Sequence, residues 1–103
     1  MGQALLEHSH YDPETGQLLA ASFMDYAMPR AETFPELKTA LSEVPSPTNP
    51  LGVRSGGEGG TTPALGAVIN AIVDALSPLG VRHIEMPATA ERVWRAIRAA
   101  RAG

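Results

Sequence analysis

Gly52-Val53-Arg54-Ser55-Gly56-Gly57-Glu58-Gly59-Gly60-Thr61-Thr62-Pro63-Ala64-Leu65 carries a lone carboxylate, set among four glycines, straight into an apolar helix. Glycine leaves its backbone amides unshielded and tolerates positive φ, so this loop permits another molecule to come close. Thr62 is expected to cap the helix, with Pro63 at the first helical position. The free amides of that helix start favour an anion or a carboxylate, which puts Glu58 beside an electropositive end. A glycine-rich turn before a helix is also a common phosphate or cofactor cradle, or a plain tight connection. This one has neither the P-loop lysine nor the dinucleotide glycine spacing.

From the loop onward, Leu65, Val68, Ile69, Ile72, Val73 and Leu76 recur at three- and four-residue spacing, and Ala64, Ala67, Ala71 and Ala75 widen the apolar face. The pattern predicts a helix over Pro63–Leu76 that is apolar nearly all round and buried between layers, ended by Ser77-Pro78 and Gly80. Val81 to Met86 reads as a short third strand. Thr89 caps a last helix with Val93, Trp94 and Ile97 inward and Arg95, Arg98 and Arg101 near its negative end.

Upstream, Met1 to His10 has helical character without a capping residue and with too few turns to stand alone. Tyr11 to Gly16 is dense in turn formers and leads into Gln17–Phe23, read as strand one. Met24 to Pro35 is an ordered loop with two prolines, and Leu37–Val44 is strand two. Pro45-Ser46-Pro47-Thr48-Asn49-Pro50 is extended and delivers the chain to the glycine loop. The expected fold class is α+β: a small sheet of two to three short strands packed with a buried central helix and a C-terminal helix, in a single partial domain over residues 1–103.

A domain of this size buries roughly 60 to 70% of its unfolded surface. Alanine supplies 16 of the 103 residues and aromatics only 5%, so the core is thin, and nine prolines and ten glycines suit a chain that lies against other protein surface. A net charge of -3 gives no electrostatic footprint for nucleic acid or an anionic membrane. Without cysteine there is no disulfide framework and no thiolate metal site. No run approaches the roughly 18 apolar residues of a membrane span, and no signal peptide opens the chain; the expectation is a cytoplasmic protein.

His8, His10 and His83 lack the spacing of a zinc site, so no metal ligand is assigned and surface histidines are the simpler reading. The row Arg92, Arg95, Arg98 and Arg101 fits a phosphate-binding face, but arginine near a helix C-terminus is ordinary helix design. Asp25, Tyr26 and Arg30 share a loop whose spacing names no reaction.

The phrases Gly2-Gln3-Ala4-Leu5-Leu6-Glu7, Ser22-Phe23-Met24-Asp25-Tyr26-Ala27-Met28-Pro29-Arg30, Gly56-Gly57-Glu58-Gly59-Gly60-Thr61 and Met86-Pro87 with Thr89 to Trp94, in that order, resemble the C-terminal end of the molybdenum hydroxylase large subunit. That is the family of xanthine dehydrogenase, aldehyde oxidase and aerobic carbon monoxide dehydrogenase, and the Gly-Glu-Gly-Gly-Thr form looks closest to the carbon monoxide dehydrogenase-like large chain. The resemblance covers nearly all of the chain. It implies part of a molybdopterin-binding domain within an oxidoreductase catalytic subunit. Glu58 falls on the family's catalytic glutamate, the base that removes a proton before substrate carbon is attacked; in the carbon monoxide branch that residue lies beside the metal centre. Gln3, Gly57, Gly59 and Gly60 fall on the cofactor side. The resemblance further implies molybdopterin with molybdenum in the full-length enzyme and none in the isolated chain. Expected partners are the remainder of the large subunit or other subunits, with self-association through exposed apolar surface, and neither nucleic acid nor membrane. The rival expectation is a stand-alone, non-enzymatic module whose glycine loop binds an anion or whose apolar helix docks on a partner.

Overall fold

The three- and four-residue spacing after Gly60 does make a helix. In the computed structural model, which describes residues 1–103, α2 runs Thr62–Leu76 and continues as a 3-10 turn, Ser77–Leu79. Its N-cap is Thr61 rather than Thr62, and Pro63 falls at the second helical position, where its missing N–H costs no helical bond. The cap donors are instead satisfied by a main-chain carbonyl: the Thr61 and Thr62 N–H groups both donate to Glu58 O, at 3.1 and 3.0 Å. Gly80 closes the helical run in the left-handed conformation (φ 87°), which favours glycine, and a Cβ there would touch Ala100 at 3.6 Å.

The remaining α-helices are α1, Gly2–Leu5, and α3, Ala90–Ala102, with one 3-10 turn at Ala31–Thr33. As the sequence suggests, Thr89 caps α3, its Oγ1 accepting from the Arg92 N–H at 3.3 Å. Thr89→Ala is expected to cost about 1 kcal/mol of stability, the usual worth of such a cap, read as a shift in denaturant midpoint. A change within error would show that the long bond carries nothing.

The core lies between α2 and α3. Val81, Ile84 and Ala88, each no more than 5% exposed, form its centre, with Ile69, Ile72, Val73 and Leu76 of α2 on one side and Val93, Ala96, Ile97 and Ala100 of α3 on the other. Three expectations are corrected here. First, α2 is not buried all round: its 65, 68, 69, 72, 73, 76 stripe is half-buried, whereas Ala67, Asn70, Ala71, Asp74 and Ala75 are exposed. Alanine extended the apolar pattern without supplying side chains for a second layer to grip. Second, Trp94 is exposed and stacks under the Arg98 guanidinium, 5.3 Å from the ring centroid. Third, Thr62–Leu79 amounts to 18 residues of mean hydropathy 1.3, long and apolar enough by length and composition to cross a membrane. Here its apolar stripe packs on Val81 and Ile84 instead.

The sheet is absent, so the α+β assignment is overturned: the chain holds helices, turns and irregular segments, with one isolated antiparallel bridge, Tyr11 to Leu18. That bridge closes a tight hairpin in which Asp12 N donates to Gln17 O at 2.9 Å and Leu19 N to His10 O at 2.8 Å. Asp12 Oδ1 accepts from the Glu14 N–H (2.9 Å), which holds the Asp12 carboxyl below its ordinary value. A lowered carboxylate stabilises the fold above its unfolded pKa, and the benefit is lost as pH falls through the folded one. Beyond Leu19 the chain turns away with no further strand to pair, and an isolated two-stranded ribbon is marginal. Leu37–Val44 forms no strand and makes no backbone hydrogen bond, Leu41 being 91% exposed. Val81–Met86 buries residues 81 and 84, a spacing of three that no flat strand presents to one face.

Candidate functional site

Three of the four phrases of the sequence meet in one cleft. Gln3 from α1, Glu7 and His8 from just past its end, Tyr26 from the following loop, Leu65 from the first turn of α2 and the Met86-Pro87 turn line an open cleft of about 460 Å³. The Met86-Pro87 peptide bond is cis. Ala4 is fully buried, and its carbonyl accepts from Ala88 N–H at 2.6 Å, which ties α1 to the segment leading into α3.

Tyr26 reaches the cleft from a self-bonded turn. Ser22 Oγ donates to Asp25 Oδ2 at 2.6 Å, the Asp25 and Tyr26 N–H groups both donate to Ser22 O, and Met24 N–H donates to Ser22 Oγ. The turn leaves Phe23 and Met24 almost fully exposed and Tyr26 half-buried. Tyr26 O–H donates to Glu7 Oε2 at 2.8 Å, and that bond, then partial desolvation, raises the phenol above its usual pKa.

Glu58 does not line this cleft. It stands on an exposed turn immediately before α2, with its carbonyl taken up by Thr61 and Thr62 and its carboxylate making no hydrogen bond or ion pair within the chain. Gly57, Gly59 and Gly60 are exposed on the same turn. None of them, nor Gly56, adopts positive φ, which is found at Gly16, Gly52 and Gly80. A Cβ built on Gly57 or Gly60 would meet nothing within 4 Å, and one on Gly59 only the Gly56 carbonyl at 3.8 Å. The chain's own fold therefore does not require glycine at these positions.

Thus Gln3 is brought together with Glu7, Tyr26 and Met86, while Glu58 and its glycines form a second, open locus joined to the first through α2. The Glu7–Tyr26 pairing spans 19 residues, and no local spacing announces it. Elsewhere, His8 and His10 have ring centroids 5.6 Å apart, while His83 lies in a different groove with Asp74 and Arg82. The arginine row is engaged locally: Arg92 Nη1 donates to Met86 O at 2.8 Å, Arg95 pairs with Glu91 at 2.6 Å, and Arg98 covers Trp94.

Comparison with known proteins finds relatives along nearly the whole chain. Residues 1–35, which contain Gln3, Glu7 and Tyr26, match the family model described as molybdopterin cofactor-binding domain. The chain is 42% identical over 96 residues to the nicotine 6-hydroxylase large subunit of Paenarthrobacter nicotinovorans, covering 93% of this chain and 12% of that protein. It is 38% identical to the carbon monoxide dehydrogenase large chain of Afipia carboxidovorans, covering 92% of this chain and 11% of the other. Similarity to the xanthine dehydrogenase molybdenum-binding subunit of Escherichia coli O157:H7 is 31%, over 91% of this chain and 12% of the relative. The chain therefore spans about an eighth of the length of these relatives. Together the recurring phrases and these matches show that the chain belongs to the molybdenum hydroxylase large-subunit family.

Proposed function

We propose that this chain is the glutamate-bearing segment of a molybdopterin-dependent oxidoreductase catalytic subunit, with Glu58 as the base and Gln3, Gly57, Gly59 and Gly60 on the cofactor side. The observation that carries the reading is the glycine turn itself. Glycine costs chain entropy wherever it is ordered, and at Gly57 and Gly60 neither φ nor internal packing repays that cost. The requirement then comes from a body outside the chain that lies against the backbone. The donor set suits the implied group: the Gln3 amide both donates and accepts, and the N–H groups of Gly57, Gly59 and Gly60 make no bond within the chain. Neutral donors of this kind match a pterin edge and phosphate oxygens.

When bound, the cofactor would accept the electrons of substrate oxidation. The part played by this chain is to hold backbone donors against it and to present one exposed carboxylate, Glu58, that takes a proton from the attacking group. The partner is the remainder of a large subunit. With a radius of gyration of 18.3 Å, the chain far exceeds the about 13 Å of a closed 100-residue domain. Its 42 backbone hydrogen bonds also fall well short of the roughly 70 that a self-contained domain of this length makes. Phe23, Met24, Leu41 and Leu51, each more than 80% exposed, would lie against that larger body.

The test separates the turn's internal tolerance from its external role. Gly57→Val and Gly60→Val should leave the circular dichroism of the chain unchanged, because a Cβ there meets nothing. In a complete large subunit carrying this segment they should lower molybdenum content about tenfold, as overpacking of roughly 1–3 kcal/mol implies. Parental molybdenum content in both variants would remove the glycines from the cofactor site.

A further inference from the structure

The Glu7–Tyr26 bond joins two residues that the proposed chemistry leaves unused. α1 is four residues long and has no side-chain cap, so it cannot hold its own orientation. What holds it is tertiary. On one side Ala88 N–H donates to Ala4 O; on the other, Tyr26, fixed on the Ser22 turn, donates to Glu7 just past the helix end. Gly2 completes the seat: a Cβ at that position would run into the Glu7 carboxylate and stand 3.0 Å from Pro29 Cγ. Gln3, one residue on, faces the cleft that Glu7, Tyr26 and Met86 also line.

We propose that Glu7 and Tyr26 are a positioning pair that locks the Ser22–Pro29 loop onto α1 and thereby sets the direction of the Gln3 amide across the cleft. Gly2 is the residue that leaves room for the lock. The proposal rests on the reading of Gln3 as a cofactor-side residue, but neither Glu7 nor Tyr26 is given a contact with the cofactor or a chemical step. The raised Tyr26 phenol agrees with a bond in which the neutral hydroxyl is the donor. By linkage, a group with a raised folded pKa stabilises the fold below its unfolded pKa and loses that benefit as pH rises through the folded one. The lock therefore opens in alkali. The other titratable or charged groups lining the hollows about Tyr26 are Glu7, His8 and Arg30.

Two measurements test it. In the 103-residue chain with Tyr11→Phe, leaving Tyr26 as the single tyrosine, phenolate absorbance should appear at higher pH than for free tyrosine. Gly2→Ala should bring it back down, although alanine is the better helix former. A Gly2→Ala titration that matches the parent overturns the lock. In a complete large subunit carrying this segment, Gln3→Ala and Tyr26→Phe should each weaken retention of molybdenum and pterin through gel filtration by about tenfold, the loss expected for one charge-assisted hydrogen bond. If Tyr26 acts through Gln3, the double variant should be no worse than either single one. Glu7→Gln, which keeps an acceptor, should restore most of what Glu7→Leu loses. Losses that add in full, or a silent Tyr26→Phe beside an effective Gln3→Ala, overturn the positioning role alone. A silent Gln3→Ala instead overturns the reading of Gln3 on which it rests.

Discussion

Glu58→Gln in a complete large subunit carrying this segment should leave molybdenum content unaltered and lower turnover by about 100-fold to 10,000-fold, the range over which loss of a general base is usually felt. The division of labour within Glu58 makes this substitution clean. Its main-chain carbonyl is a structural element, accepting from Thr61 and Thr62 and so starting α2, and the change leaves that carbonyl in place. Its side chain has no structural duty in the chain: the carboxylate is exposed and bonds to nothing. Glutamine preserves the volume and a hydrogen-bonding end, removing only the ability to take a proton. A large fall in turnover with the cofactor retained thus isolates proton removal. Turnover within a few-fold of the parent would reduce Glu58 to the residue that starts a helix, and the catalytic assignment would go with it.

How far the sequence could be read depended on whether a residue's partner lies within the chain. The bounds of α2 and α3 were legible because their causes are local: the three- and four-residue spacing from Leu65 to Leu76, Gly80 in its left-handed turn, Thr89 at its cap. The sheet was misread for the converse reason. Gln17–Phe23 and Leu37–Val44 carry apolar residues at strand-like spacing, but spacing does not say what the residues face, and Phe23 and Leu41 face away from this chain altogether. Val81 and Ile84 belong to a connection wedged between two helices, a placement that depends on both helices. At the site, the glycine turn stood out by composition, whereas the cleft did not. Glu7 and Tyr26 meet across 19 residues, and no local pattern relates them.

The same logic ranks two core substitutions against residue size. Trp94 is the largest side chain in the chain, but it is 57% exposed and its neighbour is the Arg98 guanidinium; an exposed contact of this kind is worth about 0.5–1 kcal/mol. Ile84 is smaller, 5% exposed, and packed between the apolar stripes of α2 and α3. Truncating a buried isoleucine to alanine costs about 2–5 kcal/mol, since the cavity adds to the lost transfer energy. That is a large share of the roughly 5–15 kcal/mol that stabilises an ordinary domain, and this chain has only five buried residues to draw on. Ile84→Ala should therefore remove much of the chain's helical circular dichroism, while Trp94→Ala should change it only slightly. Equal losses from the two would mean that α3 packs through the face bearing Trp94 and that the Val81–Ile84–Ala88 cluster is not what holds α2 and α3 together.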